Sequence, residues 1–234
     1  MFRLYRLPKR GESTVMGIDT SEGGDLSAIV VKSKTHCDSF LVFSGHFNSA
    51  ELSPMIKRTY MFIHATTGLL PWIGVERNMG VATINKLIEW EYPKLYKQEI
   101  FDQILQKYVY KVGWYNTQGN RIKLLDELAL AVKHGDTLIY DLETIEQLLT
   151  FVRSKRTGKP EAESGCFDDL VFAEGIALQL VFTTATEEIA TGRVKATAAG
   201  LEKQFKTLTE EQRIKHYDLD ELKKYKVPRN WKAV

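Results

Sequence analysis

Only two of the 234 residues are cysteine, Cys37 and Cys166, and they lie far apart in the chain. That excludes a disulfide framework and a thiolate zinc site, and it fits a reducing compartment. The five histidines, at 36, 46, 64, 134 and 216, show neither HxxxH nor HExxH spacing, so histidine-based zinc hydrolysis has no basis here. There is no GxxxxGKS or GxxxxGKT loop, so the chain by itself is not expected to be a P-loop ATPase. The one adjacent glycine pair, Gly23-Gly24, lacks the dinucleotide fingerprint, and no GxSxG nucleophile elbow occurs. No apolar run is long enough to span a bilayer. The start, Met1-Phe2-Arg3-Leu4-Tyr5, leads into further charge rather than an apolar core, so a soluble protein without a signal peptide is expected. Internal repeats and low-complexity tracts are also missing.

What is present is enough apolar material, 44% of 234 residues, for one sizeable core. The net charge of +2 does not declare a nucleic-acid binder, but the charge is unevenly spread. From Ile189 onward eleven Lys/Arg stand against six Asp/Glu, a local +5 that leaves −3 for the rest. Arg3, Arg6, Lys9 and Arg10 add a second basic segment at the start. Basic ends around an acidic middle suit a protein whose ends touch phosphate and whose middle holds metal. The expected organisation is a basic arm over 1–13, a catalytic domain over 14–188, and a basic helical extension over 189–234.

Residues 14–18 read as a buried strand, 20–25 as a glycine-containing turn, and 26–32 and 40–43 as two further strands, which together make an antiparallel meander. A helix capped by Ser49 or Ser53 and running to about Thr67 carries Met55, Ile56, Thr59, Tyr60 and Ile63 at helical spacing. It leads to a strand at 72–75, and such a crossover implies parallel pairing at that point. Then follow a helix over 79–90 and a mixed stretch, 92–116, holding a strand at 108–112. A helix over 118–134 is stopped by Gly135, and a strand at 137–140 follows. Asp141 caps a helix running to about Arg153, 154–165 form a loop, and a helix apolar on nearly every side runs from Asp168 to about Glu188. The closed solution is an α/β fold, a central mixed sheet with helices on both faces.

Three acidic positions stand at the ends of apolar runs. Asp19 closes Val15-Met16-Gly17-Ile18, Glu76 closes Pro71-Trp72-Ile73-Gly74-Val75, and Asp168-Asp169 open Leu170-Val171-Phe172-Ala173. Each has an ordinary explanation taken singly: Asp19 starts a turn, Glu76 pairs with Arg77 or a lysine, and Asp168 and Asp169 cap a helix. Taken together they are hard oxygen ligands on rigid supports, and gathered into one pocket they would repel one another unless a divalent cation sat between them. That donor set suits two-metal phosphodiester hydrolysis with Mg²⁺ or Mn²⁺.

The segments that carry these acids resemble the nuclease domain of the large terminase subunits of tailed bacteriophages. Gly17-Ile18-Asp19-Thr20-Ser21-Glu22-Gly23-Gly24-Asp25-Leu26-Ser27-Ala28 resembles the first catalytic motif of that family, and Val75-Glu76-Arg77-Asn78-Met79-Gly80 resembles the second. Gly113-Trp114-Tyr115-Asn116-Thr117 and then Gly165-Cys166-Phe167-Asp168-Asp169-Leu170-Val171-Phe172-Ala173 resemble the stretch leading to the last acidic motif. The likeness covers roughly residues 14 to 182. It implies a ribonuclease H-like fold and an endonuclease that cuts concatemeric viral double-stranded DNA during genome packaging, in the host cytoplasm, using two Mg²⁺ or Mn²⁺ ions. It implies Asp19, Glu76 and Asp168 as catalytic metal ligands with Asp169 as a further candidate; the spacing Asp-x-Leu-x-x-Ala, met by Leu170 and Ala173, ranks Asp168 ahead of Asp169. Implied partners are a P-loop ATPase motor domain, a portal protein and a small terminase subunit. Alternatives are another ribonuclease H-like nuclease, a junction resolvase or a ribonuclease, and a non-catalytic module that docks DNA or portal.

Overall fold

The computed structural model describes residues 1–21, 26–153, 160–163 and 166–186. The expected extension over 189–234, the glycines of the first turn and part of the 154–165 loop lie outside the described residues. The first residues, expected in a basic arm, form a strand, β1 (Phe2–Leu4). After it come β2 (Thr14–Asp19), β3 (Ser27–Ser33) and β4 (Asp38–Gly45), paired antiparallel as the meander the apolar runs predict. β1 lies antiparallel along the outer edge of β4. Helix α1 (Ser49–Thr67) crosses over to β5 (Trp72–Val75), which pairs parallel with β2, as the crossover length requires.

Helix α2 (Arg77–Glu89) follows β5 directly. The stretch 92–116, in which one strand was expected, holds a two-stranded hairpin, β6 (Lys97–Asp102) and β7 (Lys107–Val112). Next come α3 (Gln118–His134), β8 (Leu138–Ile139) parallel to β4, and α4 (Leu142–Leu149). Asp141 caps α4 as expected, its carboxylate accepting the Thr144 N–H at 2.9 Å. The helix stops at Leu149 rather than near Arg153, because 151–153 instead form β9 (Phe151–Arg153), antiparallel to β10 (Pro160–Ala162) in the expected loop. The last described element, α5 (Asp169–Thr183), ends short of Glu188, with the Thr184 N–H closing on the Leu180 carbonyl.

Alternation along β2, β3 and β4 sends apolar side chains to both faces of the sheet, and each face has its own core. Val15, Ala28, Val30 and Val42 pack beneath α3 and α5, against Leu124, Leu128, Ala173 and Ile176. Met16, Ile18, Ile29, Val31, Leu41 and Phe43 pack beneath α1 and α2, against Leu52, Ile56, Ile84 and Leu87. Burial of one such Leu or Ile side chain stabilises the fold by roughly 1.5–3 kcal/mol. α5 is buried nearly all round, which accounts for its lack of a polar face. Its one mid-helix charge, Glu174, meets the Lys32 Nζ of β3 at 2.6 Å, both side chains fully buried and both also bonded to hydroxyls, of Ser39 and Thr137 respectively. Among the described residues no helix is long and apolar enough to cross a membrane.

Candidate active site

β2 and β5 run side by side in the same direction, with Ile18 opposite Val75. The next residue on each strand is therefore an acid: Asp19 ends β2, and Glu76 follows β5 with its N–H donating to the Ile18 carbonyl at 2.8 Å. Adjacent strands are about 4.8 Å apart, so the two carboxylates leave the sheet as neighbours. Parity puts them on one face. Gly17 and Gly74, two residues earlier on each strand, both look toward α5: a Cβ at Gly17 would stand 2.1 Å from the Ala173 carbonyl oxygen, and one at Gly74 would meet Leu180 and Ile176. Asp19 and Glu76 thus project to the α5 side, at the carboxyl ends of parallel strands where α/β sheets place ligands.

The third acid comes from α5. Ala173 sits on Gly17, and Asp169 lies one turn before Ala173 on the same helix face, about 6 Å nearer the N-terminus. Asp19 lies two strand residues beyond Gly17, about 6.6 Å along β2. These two advances match, and they bring the buried Asp169 level with Asp19. Asp168 precedes the first turn, a third exposed, and its Oδ2 accepts from Arg121 Nη2 at 2.7 Å. The sequence spacing ranks Asp168 first; in the structure Asp168 is bonded to Arg121 of α3, and the buried Asp169 acts on Asp19 more strongly than Asp168 does. A periodicity count cannot see the phase in which a helix docks, which here is fixed by Ala173 on Gly17.

Electrostatics reports the same gathering. Burial, then the charges of Glu76, Asp169 and Asp168 in that order, hold the Asp19 carboxyl well above the ordinary carboxylate range. A hydrogen bond from the Thr20 N–H to Oδ1 at 3.1 Å opposes this only weakly. Glu76 is also raised, by burial, although hydrogen bonds from Met79, Asn116 and Asn78 and the nearby Arg121 charge pull the other way. Its Oε2 caps α2 by accepting the Met79 N–H at 3.0 Å. Arg77, considered from sequence as a partner for Glu76, instead donates to the Val112 carbonyl at 2.7 Å and lies over the Tyr115 ring.

The third sequence segment supports the second. Gly113, at φ +97°, has its α-carbon so close to the Val75 carbonyl and Ile84 that a side chain there would clash. Trp114 then pairs beside Glu76: its N–H donates to the Val75 carbonyl and its carbonyl accepts from Arg77 N–H, each at 2.8 Å. Asn78 Nδ2 donates to the Asn116 carbonyl at 3.1 Å, and Thr117 caps α3. That turn delivers Arg121, a residue the sequence reading passed over. A signal was available: a cation in the opening turns of a helix opposes the helix dipole, and such local inconsistencies mark functional positions.

Carboxylates alone make a hard oxygen donor set suited to Mg²⁺, Mn²⁺ or Ca²⁺, and the repulsion carried by Asp19 is what a bound cation relieves. The side chains are not drawn into a closed cage: among the described residues no three of His, Cys, Asp and Glu form a group able to hold a metal as they stand. Glu76 is turned to the α2 N-terminus and Asp168 to Arg121, as like charges turn to the nearest positive partner.

No protein-family model matches the sequence, and neither does any curated protein. The fold does match solved structures. The large terminase nuclease from thermophilic phage G20c is similar to this chain at TM-score 0.53 and 16% identity, over 76% of this chain and 92% of that one, both as such and with bound magnesium. The large terminase nuclease domain of Thermus phage P74-26 is similar at TM-score 0.52 and 15% identity, over 76% and 90%. At this identity the likeness is one of fold, and the mixed sheet with helices on both faces is the architecture expected from sequence.

Proposed function

We propose that this chain, on the fold it shares with large terminase nucleases, is a divalent-metal-dependent DNA endonuclease that cuts concatemeric viral DNA during genome packaging. The observation that carries the reading is the placement of Asp19 and Glu76 as same-face neighbours at the ends of parallel strands, with Asp169 brought level by α5. Asp19, Glu76 and Asp169 would hold the metal, with Asp168 contributing after it parts from Arg121. When bound, two Mg²⁺ or Mn²⁺ ions would supply an ionised water for attack on phosphorus and charge neutralisation for the leaving oxygen. The chain's own work is support. β2 and β5 hold two acids in fixed register, the α5 dipole favours the negative charge of the third, and the Met79 N–H and Asn116 orient Glu76. Double-stranded DNA would be gripped through its phosphates, giving weak sequence preference and strong salt sensitivity. A P-loop motor domain, a portal protein and a small terminase subunit are the partners such a nuclease would serve.

Nicking of supercoiled plasmid with Mg²⁺, with Mn²⁺ and with chelator tests the reading. Cutting is expected with either metal and not with chelator, and Asp19→Asn should abolish it. Wild-type nicking by Asp19→Asn would refute the assignment. Preferential cutting of a four-way junction or of an RNA–DNA hybrid would move the protein to a resolvase or a ribonuclease. Neither cutting nor Mn²⁺ binding would leave a docking module.

A further inference from the structure

The guanidinium of Arg121 reaches from α3 into the acidic group. Its Nη2 donates to Asp168 Oδ2 at 2.7 Å, its Cζ lies 4.0 Å from the centre of the buried Phe172 ring, and its charge acts on Glu76 as well. Arg121 and Asp168 are each about a third exposed, so the pair opens to solvent on one side. A carboxylate held by an arginine at 2.7 Å has a lone pair committed that a metal would need. The bond is also weak enough to exchange, because a part-exposed pair is worth at most about 1 kcal/mol. Phe172 gives the guanidinium a seat that does not depend on Asp168, since a cation over an aromatic face is held by the ring itself.

We infer that Arg121 is a positioning residue that competes with the metal for Asp168 and, once displaced, remains on Phe172 to take a DNA phosphate as its new anion. The inference rests on the metal-dependent nuclease reading above and adds to it a coupling: metal entry frees the cation that the phosphate needs. Arg121 thereby balances the acids until substrate and metal replace it. The exchange trades one charge-assisted hydrogen bond for another and alters no covalent bond.

Two readouts separate this role from a structural one, because they move in opposite directions. In calorimetric titration of the full chain without DNA, Arg121→Gln should bind Mn²⁺ about fivefold more tightly than wild type, its competitor being gone. In Ca²⁺, the same variant should bind duplex DNA more weakly, with the slope of log K against log salt reduced by about one. Arg121→Met, which keeps the packing on Phe172, should behave alike, and Arg121→Lys should return both readouts to within about twofold of wild type. Unchanged or weakened Mn²⁺ binding in the neutral variants overturns the inference, as does an unchanged salt slope. A variant-free measurement covers misfolding: in ¹⁵N-labelled wild type, saturation with Mg²⁺ should shift the Arg121 Nε–Hε resonance, and a resonance that stays in place also overturns it. If wild type and Asp19→Asn bind Mn²⁺ equally, the nuclease reading is what fails; if only Asp19→Asn loses the metal while Arg121→Gln matches wild type, the inference about Arg121 alone fails.

Discussion

At the outer edge of the sheet, Asp38, Glu12 and Asp141 are surrounded by donors, whereas at the end of β2, Asp19 has a single backbone donor and the charges of Glu76, Asp169 and Asp168 beside it. Arg6 donates to Glu12 Oε1 and Asp38 Oδ1, each at 2.6 Å, while lying over Phe40. Asp141 is fully buried yet receives Arg3, Tyr5 and Thr144, and these hydrogen bonds outweigh burial and hold it below the ordinary carboxylate range. Burial first and then the bond to Asp141 push the Tyr5 hydroxyl up to about 12. Asp19 has the reverse balance, with burial and three neighbouring acids raising it. Matched carboxylates fasten the edge of the sheet. At Asp19 the neighbouring acids outweigh its one backbone donor, a repulsion that a bound cation would relieve, and this balance is what makes the second region the candidate site.

The contrast predicts opposite signs for similar substitutions. Asp19→Asn should lower plasmid cleavage on the order of 10⁴-fold, yet raise the melting temperature measured in chelator, because an amide of the same shape carries no charge to repel. A lower melting temperature in chelator would contradict the contrast. Lys32→Met should cost about 3–5 kcal/mol in denaturant unfolding, since it leaves Glu174 buried without its cation. A loss under about 1 kcal/mol would mean that the pair adds little. Asp141→Asn should cost about 2–3 kcal/mol at neutral pH by weakening the bonds to Arg3 and Tyr5. Its pH dependence follows from its lowered value: the stabilisation is full above the ordinary carboxylate range near 3.8 and is lost as pH falls through the lower folded value. The gap between wild type and Asp141→Asn should therefore close below about pH 3.8. Asp19, raised when folded, works the other way, its contribution being lost as pH climbs from the ordinary range toward the folded value. Melting curves of both variants across pH, in chelator, should diverge in those two windows.

The meander and the β5 crossover were legible because apolar runs bounded by polar turns leave few other solutions. β1 was not, since three residues carry no period and owe their pairing to β4 and to the tether of Arg3 on Asp141. β6 was hidden by its charge: it alternates exposed and half-buried residues and is defined by pairing with β7 rather than by a core. The placement of Asp19 and Glu76 side by side at strand ends could be read, because strand ends are visible as the ends of apolar runs. The burial of Asp169 and the pairing of Asp168 with Arg121 could not, because they depend on how α5 is rotated against the sheet. Arg121 escaped notice because its meaning lies in three partners from other segments.

Gly17 carries a consequence for the distance between Asp169 and the acids at the strand ends. The helix backbone rests directly on the strand there, with no side chain as a spacer. One added methyl at position 17 would lift α5 by an ångström or so. The sheet, the caps and the edge ion pairs would survive, but Asp169 would rise away from Asp19 and Glu76 as a unit with its helix. The gauge of the gap between these acids is thus set by a hydrogen atom two residues away from Asp19.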